Sequence, residues 1–235
     1  MAGYKRVLIK LSGEALAGEK KTGFDEATCI AVAKQIKTIV DGGTQVAIVI
    51  GGGNFWRGRT SETIDRYKAD QIGILATVMN CIYVSDIFRY VGMKTQIYTP
   101  FEIGDMSLLF SKDDATADLE AGKVVFLAGG TGHPYFSTDT ATALRAIELG
   151  CDIIMMAKAI DGVYSADPKL DPTAVKYDTI TLQEVVEKNL KVIDSTASAL
   201  CFENKMPLLL FSLNEEDSIV NNANGKHTGT VVTAE

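Results

Sequence analysis

The chain is poor in the side chains from which metal cages and general bases are built. It has two histidines, His133 and His227, and four cysteines, Cys29, Cys81, Cys151 and Cys201. The cysteines lie far apart in apolar surroundings, form no C-x-x-C, and read as buried reduced thiols. A Cys/His metal site is therefore not expected, and a cytoplasmic location is. No G-x-x-x-x-G-K-[ST] occurs, and no G-x-G-x-x-G follows a strand, so the two commoner phosphate-binding designs are missing. Positive charge is scarce too: 23 Lys and Arg face 30 Asp and Glu, a net charge of -7. That balance argues against a nucleic-acid backbone or an anionic membrane as main partner, but leaves small phosphate ligands open. Lys5, Arg6 and Lys10 interrupt the first apolar stretch, so no signal-peptide core is expected there. No unbroken apolar run approaches the ~20 residues that span a bilayer. A soluble protein with a full core is the expectation, since 46% of the residues are hydrophobic.

What is present alternates. Val7-Leu8-Ile9 reads as a strand, and Asp25 then precedes a helix with Ile30, Ala33, Ile36 and Val40 on one face. Gln45 to Ile50 is an apolar strand ending in Gly51-Gly52-Gly53, with Arg57 close behind. A long helix is predicted over 69–90, with Ile72, Leu75, Ala76, Met79 and Ile82 at core spacing, and Cys81 in the core as well. Strands at 95–98, 124–127, 152–156, 208–212 and 230–233 alternate with helices at 115–121, 138–148, 181–188 and 195–204. Segment 159–180 reads as a long loop or hairpin. Strands separated by helices imply crossovers, and hence one α/β domain over residues 1–235: a three-layer α/β/α sandwich on a mainly parallel sheet.

Ligands of such sheets gather where the strands end. Four loops there are unusual: Lys10-Leu11-Ser12-Gly13-Glu14; Gly51-Gly52-Gly53-Asn54 with Arg57; Gly129 through Asp139; and Lys158 with Asp161-Gly162 and Asp167-Pro168. Lys10, Arg57 and Lys158, together with bare glycine amides and Asp70, Asp139, Asp161, Asp167 and Asp194, suit phosphoryl transfer. That chemistry needs positioning and charge neutralisation more than covalent help. Each loop alone also has an ordinary explanation: a tight turn at Gly51–Gly53, a solvent-seeking Lys10, a helix cap at Ser137-Thr138-Asp139, a turn at Asp161-Gly162. Convergence on one rim favours the site.

These residues resemble the amino-acid kinase superfamily, and within it the bacterial uridylate (UMP) kinases. The motifs that carry the resemblance are Lys10-Leu11-Ser12-Gly13-Glu14-Ala15, Gly51-Gly52-Gly53-Asn54, Asp70 ahead of Leu75-Ala76-Thr77-Val78-Met79-Asn80, Gly130-Thr131-Gly132, Ser137-Thr138-Asp139 and Asp194-Ser195-Thr196-Ala197. Their order spans essentially the whole chain. The resemblance implies phosphorylation of UMP to UDP by ATP with Mg²⁺. On it, Lys10, Leu11, Ser12, Gly13, Gly53, Arg57, Lys158, Ala159, Tyr164 and Asp167 fall to ATP. Gly52, Asp70, Thr131, Gly132, His133, Pro134, Tyr135, Phe136, Ser137 and Thr138 fall to UMP. Lys10, Arg57, Asp139, Lys158 and Asp194 take catalytic roles. It further implies a homohexamer, inhibition by UTP and activation by GTP through Gly18, Glu19, Lys20, Lys21, Thr22 and Gly23. His133 stands where the family usually carries Asn, and Ser85 where many members carry Arg. Kinases for other small acceptors share this fold, and a non-catalytic nucleotide-binding regulator is the alternative outside enzymes.

Overall fold

A computed structural model describes residues 3–57, 63–190 and 192–234. Eleven strands and eight α-helices occur among them: β1 (Arg6–Leu11), α1 (Gly13–Ala17), α2 (Glu26–Asp41), β2 (Gln45–Ile50), α3 (Arg66–Tyr90), β3 (Thr95–Thr99), β4 (Leu108–Leu109), α4 (Lys112–Glu120), β5 (Val124–Leu127), α5 (Thr138–Glu148), β6 (Ile153–Lys158), β7 (Val163–Tyr164), β8 (Lys176–Tyr177), β9 (Thr179–Thr181), α6 (Leu182–Glu187), α7 (Ser195–Glu203), β10 (Leu208–Ser212), α8 (Ser218–Ala223) and β11 (Thr230–Thr233).

Nine strands form one sheet in the order β4-β3-β5-β2-β1-β6-β10-β11-β9. The pairs from β4 to β10 are parallel, and β11 runs antiparallel to β10. Helices cover both faces, giving the expected three-layer α/β/α sandwich. Two hydrophobic clusters, one per face, explain the unbroken apolar strands: Ile9, Ile48 and Phe126 point into one, Leu8, Val49 and Val125 into the other. Polar residues start the helices. Asp25 accepts from the Thr28 amide at 2.8 Å, Ser137 caps α5, Asp194 caps α7, and Thr181 with Glu184 forms a capping box on α6.

Two helical faces differ from expectation. In α2 the buried set is Cys29, Val32, Ala33, Ile36 and Ile39; Ile30 and Val40 lie at its margins. The departure in α3 is larger. Ala76 and Cys81 are buried as expected, but Ile72, Leu75, Met79 and Ile82 are 36–53% exposed. The face against the sheet is filled by Ala69, Ala76, Thr77, Asn80, Cys81, Val84, Ser85 and Phe88. Small and polar side chains took the inner face because the helix passes close to the glycine loop. A Cβ on Gly52 would lie 2.9 Å from Ala76 Cβ and from the Gly73 carbonyl. By length and a mean hydropathy of 1.4, α3 could cross a membrane, but in this fold it is a covering helix packed on β2, β3 and β5. The stretch predicted as a loop or hairpin carries the antiparallel β7–β8 pair. The short β4, β9, α1 and α8 have too few residues to show a period.

Candidate active site

The parallel register brings the chemistry together. Lys10 on β1 is level with Met156 on β6, so Lys158, two residues further on, leaves the sheet on the same face. Helix α5 covers that face, and its first turn carries Asp139. Lys10 Nζ stands 3.1 Å from Asp139 Oδ1, as a partly buried ion pair not aligned as a hydrogen bond. Lys158 Nζ donates to the Val192 carbonyl at 2.5 Å. Burial lowers the Lys158 pKa; Asp139 opposes this and Lys10 adds to it. Lys10 thus pairs with the Asp139 carboxylate, and Lys158 lies within reach of its charge.

Asp194 acts one layer behind. Its carboxylate accepts from Ser137 Oγ at 2.5 Å, Thr140 Oγ1 at 3.0 Å, and the Thr196 and Ala197 amides at 2.9 and 3.1 Å. Burial alone would raise its pKa, but these hydrogen bonds prevail and hold it below the ordinary carboxylate range. Ser137 in turn accepts from the Asp139 and Thr140 amides. Asp194 therefore ties the start of α7 to the first turn of α5, the turn that carries Asp139.

A cavity of about 240 Å³ opens between the glycine loop, the first half of α3 and the loop after β5. Gly52, Asp70, Thr131, His133, Phe136, Ser137 and Thr138 line it, which unites most of the expected acceptor set; Gly53, expected at ATP, lines it too. Trp56, Arg66, Gly73, Ile74 and Thr77 also line it and were not anticipated. Asp70 Oδ2 accepts from Arg66 Nε at 2.9 Å and from the Tyr135 amide at 2.8 Å, so this carboxylate pins the loop it faces. Tyr135 has a left-handed backbone (φ 72), and its ring lies under the Arg66 guanidinium. The Thr131 hydroxyl engages both the N–H and the carbonyl of His133. Gly132 (φ 82) packs where a Cβ would lie 2.9 Å from Pro100 Cγ.

A second cavity, about 580 Å³, is lined by Ser137, Asp139 and Lys158. Its walls come from Val185, Val186, Asn189, Leu190, Val192 and Ile193 around α6, with Asp194, Ser195 and Ser198 from the start of α7. None of those apolar residues was singled out from the sequence. Of the expected donor-side residues, Lys158 lines this cavity. Tyr164 and Asp167 sit on the β7–β8 hairpin, where the Tyr164 hydroxyl donates to Asp161 and Asp167 accepts from the Lys169 amide.

Gly13 opens α1 directly after β1, and the Ser12 side chain makes no cap hydrogen bond to it, so that side chain leaves the first-turn amides unbonded. Arg57 pairs with Glu14, whose carboxylate also lies against Gly53. Gly58 and the following four residues lie outside the described part. Burial pushes the Cys29 thiol up to about 11 and those of Cys81, Cys151 and Cys201 to about 12, which disfavours their thiolate forms at neutral pH. Among the described residues no cluster of three or more His, Cys, Asp or Glu is placed to hold a metal.

The amino acid kinase family model matches residues 5–212. The chain belongs to the amino acid kinase family. It is 46% identical to the uridylate kinase of Pediococcus pentosaceus, over 99% of this chain and 98% of that one. Among solved structures it resembles the UMP kinase of Bacillus anthracis, with TM-score 0.96 and 34% identity over 99% of this chain and 97% of that one. The UMP kinase of Ureaplasma parvum follows at TM-score 0.92 and 35% identity, covering 97% and 98%. In this amino acid kinase fold, Ser137 borders both cavities, and Asp139 and Lys158 line the larger one.

Proposed function

We propose that the chain is a UMP kinase, transferring the γ-phosphoryl group of ATP to UMP to give UDP and ADP in pyrimidine nucleotide synthesis. The observation that carries this reading is the Lys10–Asp139 pair, with Asp139 and Lys158 lining the larger cavity and Ser137, two residues before Asp139, bordering both. Full-length likeness to uridylate kinases supports the choice of acceptor.

In this reading UMP occupies the smaller chamber, with Asp70 at the ribose and the Thr131–Thr138 loop around base and phosphate. ATP approaches from the larger one, its phosphates toward Lys10, Ser12, Gly13 and Gly53. The apolar wall of Leu190 and Ile193 offers a surface for a flat base, and Ala159, Tyr164 and Asp167 complete that side along the chain from Lys158. Lys10 and Lys158 neutralise the oxygens of the moving group, Asp139 holds the lysines apart and aimed, and Arg57 is released from Glu14 to grip phosphate. The attacking UMP oxygen is already ionised, since a phosphate monoester has its second pKa near ~6. No general base is needed, which fits a site with His133 as its one histidine. Mg²⁺ enters as part of the Mg·ATP substrate; two ammonium groups beside Asp139 disfavour a resident ion.

The exposed row Ile72, Leu75, Met79 and Ile82 on α3 supports self-association, and we place the homohexamer there. A cytoplasmic enzyme inhibited by UTP and activated by GTP completes the proposal. The test is a coupled ADP-release assay offering UMP, CMP and amino acids, repeated with GTP or UTP, alongside sedimentation of the purified chain. Strong turnover with UMP alone is expected; turnover with an amino acid, or nucleotide binding without turnover, would overturn the assignment.

A further inference from the structure

Asn54 ends the glycine loop and is 1% exposed; Asn80, in the middle of α3, is wholly buried. Their side-chain amides face each other. Asn54 Nδ2 donates to Asn80 Oδ1 at 2.9 Å, and Asn80 Nδ2 donates to Asn54 Oδ1 at 2.8 Å. The remaining hydrogen on each nitrogen goes to a backbone carbonyl: Asn80 to Gly51 at 2.7 Å, Asn54 to Gly23 at 2.8 Å. The Gly23 amide returns a bond to the Asn54 carbonyl at 3.2 Å. Every side-chain donor of the pair is therefore used, and the four bonds join the glycine loop, α3 and the turn at Gly23.

A second fastening runs beside the first. Phe24 stacks on Tyr83 of α3 at 3.9 Å between ring centres and meets Phe55 edge-on at 5.4 Å. The segment carrying Lys20 and Lys21 is thus tied to the end of the glycine loop and to α3. Buried polar pairs of this kind fix one arrangement, because a slip leaves amide groups without partners in a dry interior.

We infer that the Asn54–Asn80 pair is the positioning device of the transfer site: it sets the Gly51–Gly53 backbone against the phosphates and couples it to the Gly18–Gly23 segment. This rests on the glycine loop being the phosphate site proposed above. Neither asparagine touches substrate in this scheme; both act through the loop.

The experiment is amide hydrogen exchange on the wild-type chain with and without a non-hydrolysable ATP analogue, followed by kinetics of Asn80→Ala, Asn54→Ala and the double variant. In the wild type, the analogue is expected to slow exchange at Gly51–Asn54 and at Gly23 together. Protection of 51–54 with Gly23 unchanged would overturn the coupling while leaving the kinase reading intact. Protection at neither place would remove both. For Asn80→Ala the expectation is a kcat lower by about tenfold or more with KM for UMP within about twofold, and a double variant no worse than the singles. A lower melting temperature with wild-type kcat would reduce the pair to a structural role.

Discussion

The two chambers differ in what each adds to a mixed lining. The smaller one, proposed for the acceptor, sets glycine backbone and the hydrogen-bonded Asp70, Thr77 and Thr131 beside Trp56, Ile74 and Phe136. The larger one, proposed for the donor, sets Val185, Val186, Leu190, Val192 and Ile193 beside Asp139, Lys158, Asn189 and Asp194. Hydrogen bonds have directions and fix a shape; apolar walls exclude water but leave a flat ring free to slide. The smaller chamber should therefore discriminate sharply among acceptors, and the larger one should read its occupant mainly by the phosphates it delivers.

The largest effect is expected where the chambers meet. Asp139→Asn leaves Lys10 and Lys158 facing each other without a counter-charge, and turnover should fall by at least about two orders of magnitude, roughly 2.7 kcal/mol of barrier, in a protein that still melts cooperatively. Arg57→Ala should lose as much, since its Glu14 pairing is at the surface and contributes little to stability. Near-wild-type turnover in both, by ADP release, would mean that the junction is not where transfer happens.

Next comes the support behind it. Asp194→Ala removes the cap of α7 and the acceptor of Ser137 and Thr140, at a cost of about 1–3 kcal/mol in chemical denaturation. Because the folded carboxyl titrates below its ordinary value, this contribution is complete above that value and fades as pH drops through the folded one. The wild-type advantage over the variant should accordingly persist at pH 7 and close in acid below about pH 4.

A smaller change sharpens the contrast itself. Asp70→Ala should raise KM for UMP about tenfold, about 1.4 kcal/mol, with little change for ATP. Ile193→Ala should do the opposite and more weakly, raising KM for ATP about threefold by thinning an apolar wall. If both variants moved the same constant, the chambers would not be separate sites.

The same contrast governs what the sequence disclosed. Motifs built on glycine, aspartate and lysine, such as Gly51-Gly52-Gly53 and Ser137-Thr138-Asp139, are visible because few other residues do their work. Lys10, Asp139 and Lys158 could be placed together from the rule that strand ends and the loops after them share one rim. The donor wall was hidden, since Leu190 and Ile193 look like any core residue until the cavity beside them is seen. In α3 the periodicity was right and its phase was wrong. Hydropathy selects Ile72, Leu75 and Met79 as the inner face, whereas close approach to Gly52 demanded alanine, threonine and asparagine there.

Ser137 borders both chambers, and its hydroxyl is fully committed. Its lone hydrogen goes to Asp194, while its oxygen receives two amides of α5. Nothing remains on that atom to grip an incoming nucleotide. The partition at this point is therefore inert by saturation: a wall that either guest can press against and neither can recruit.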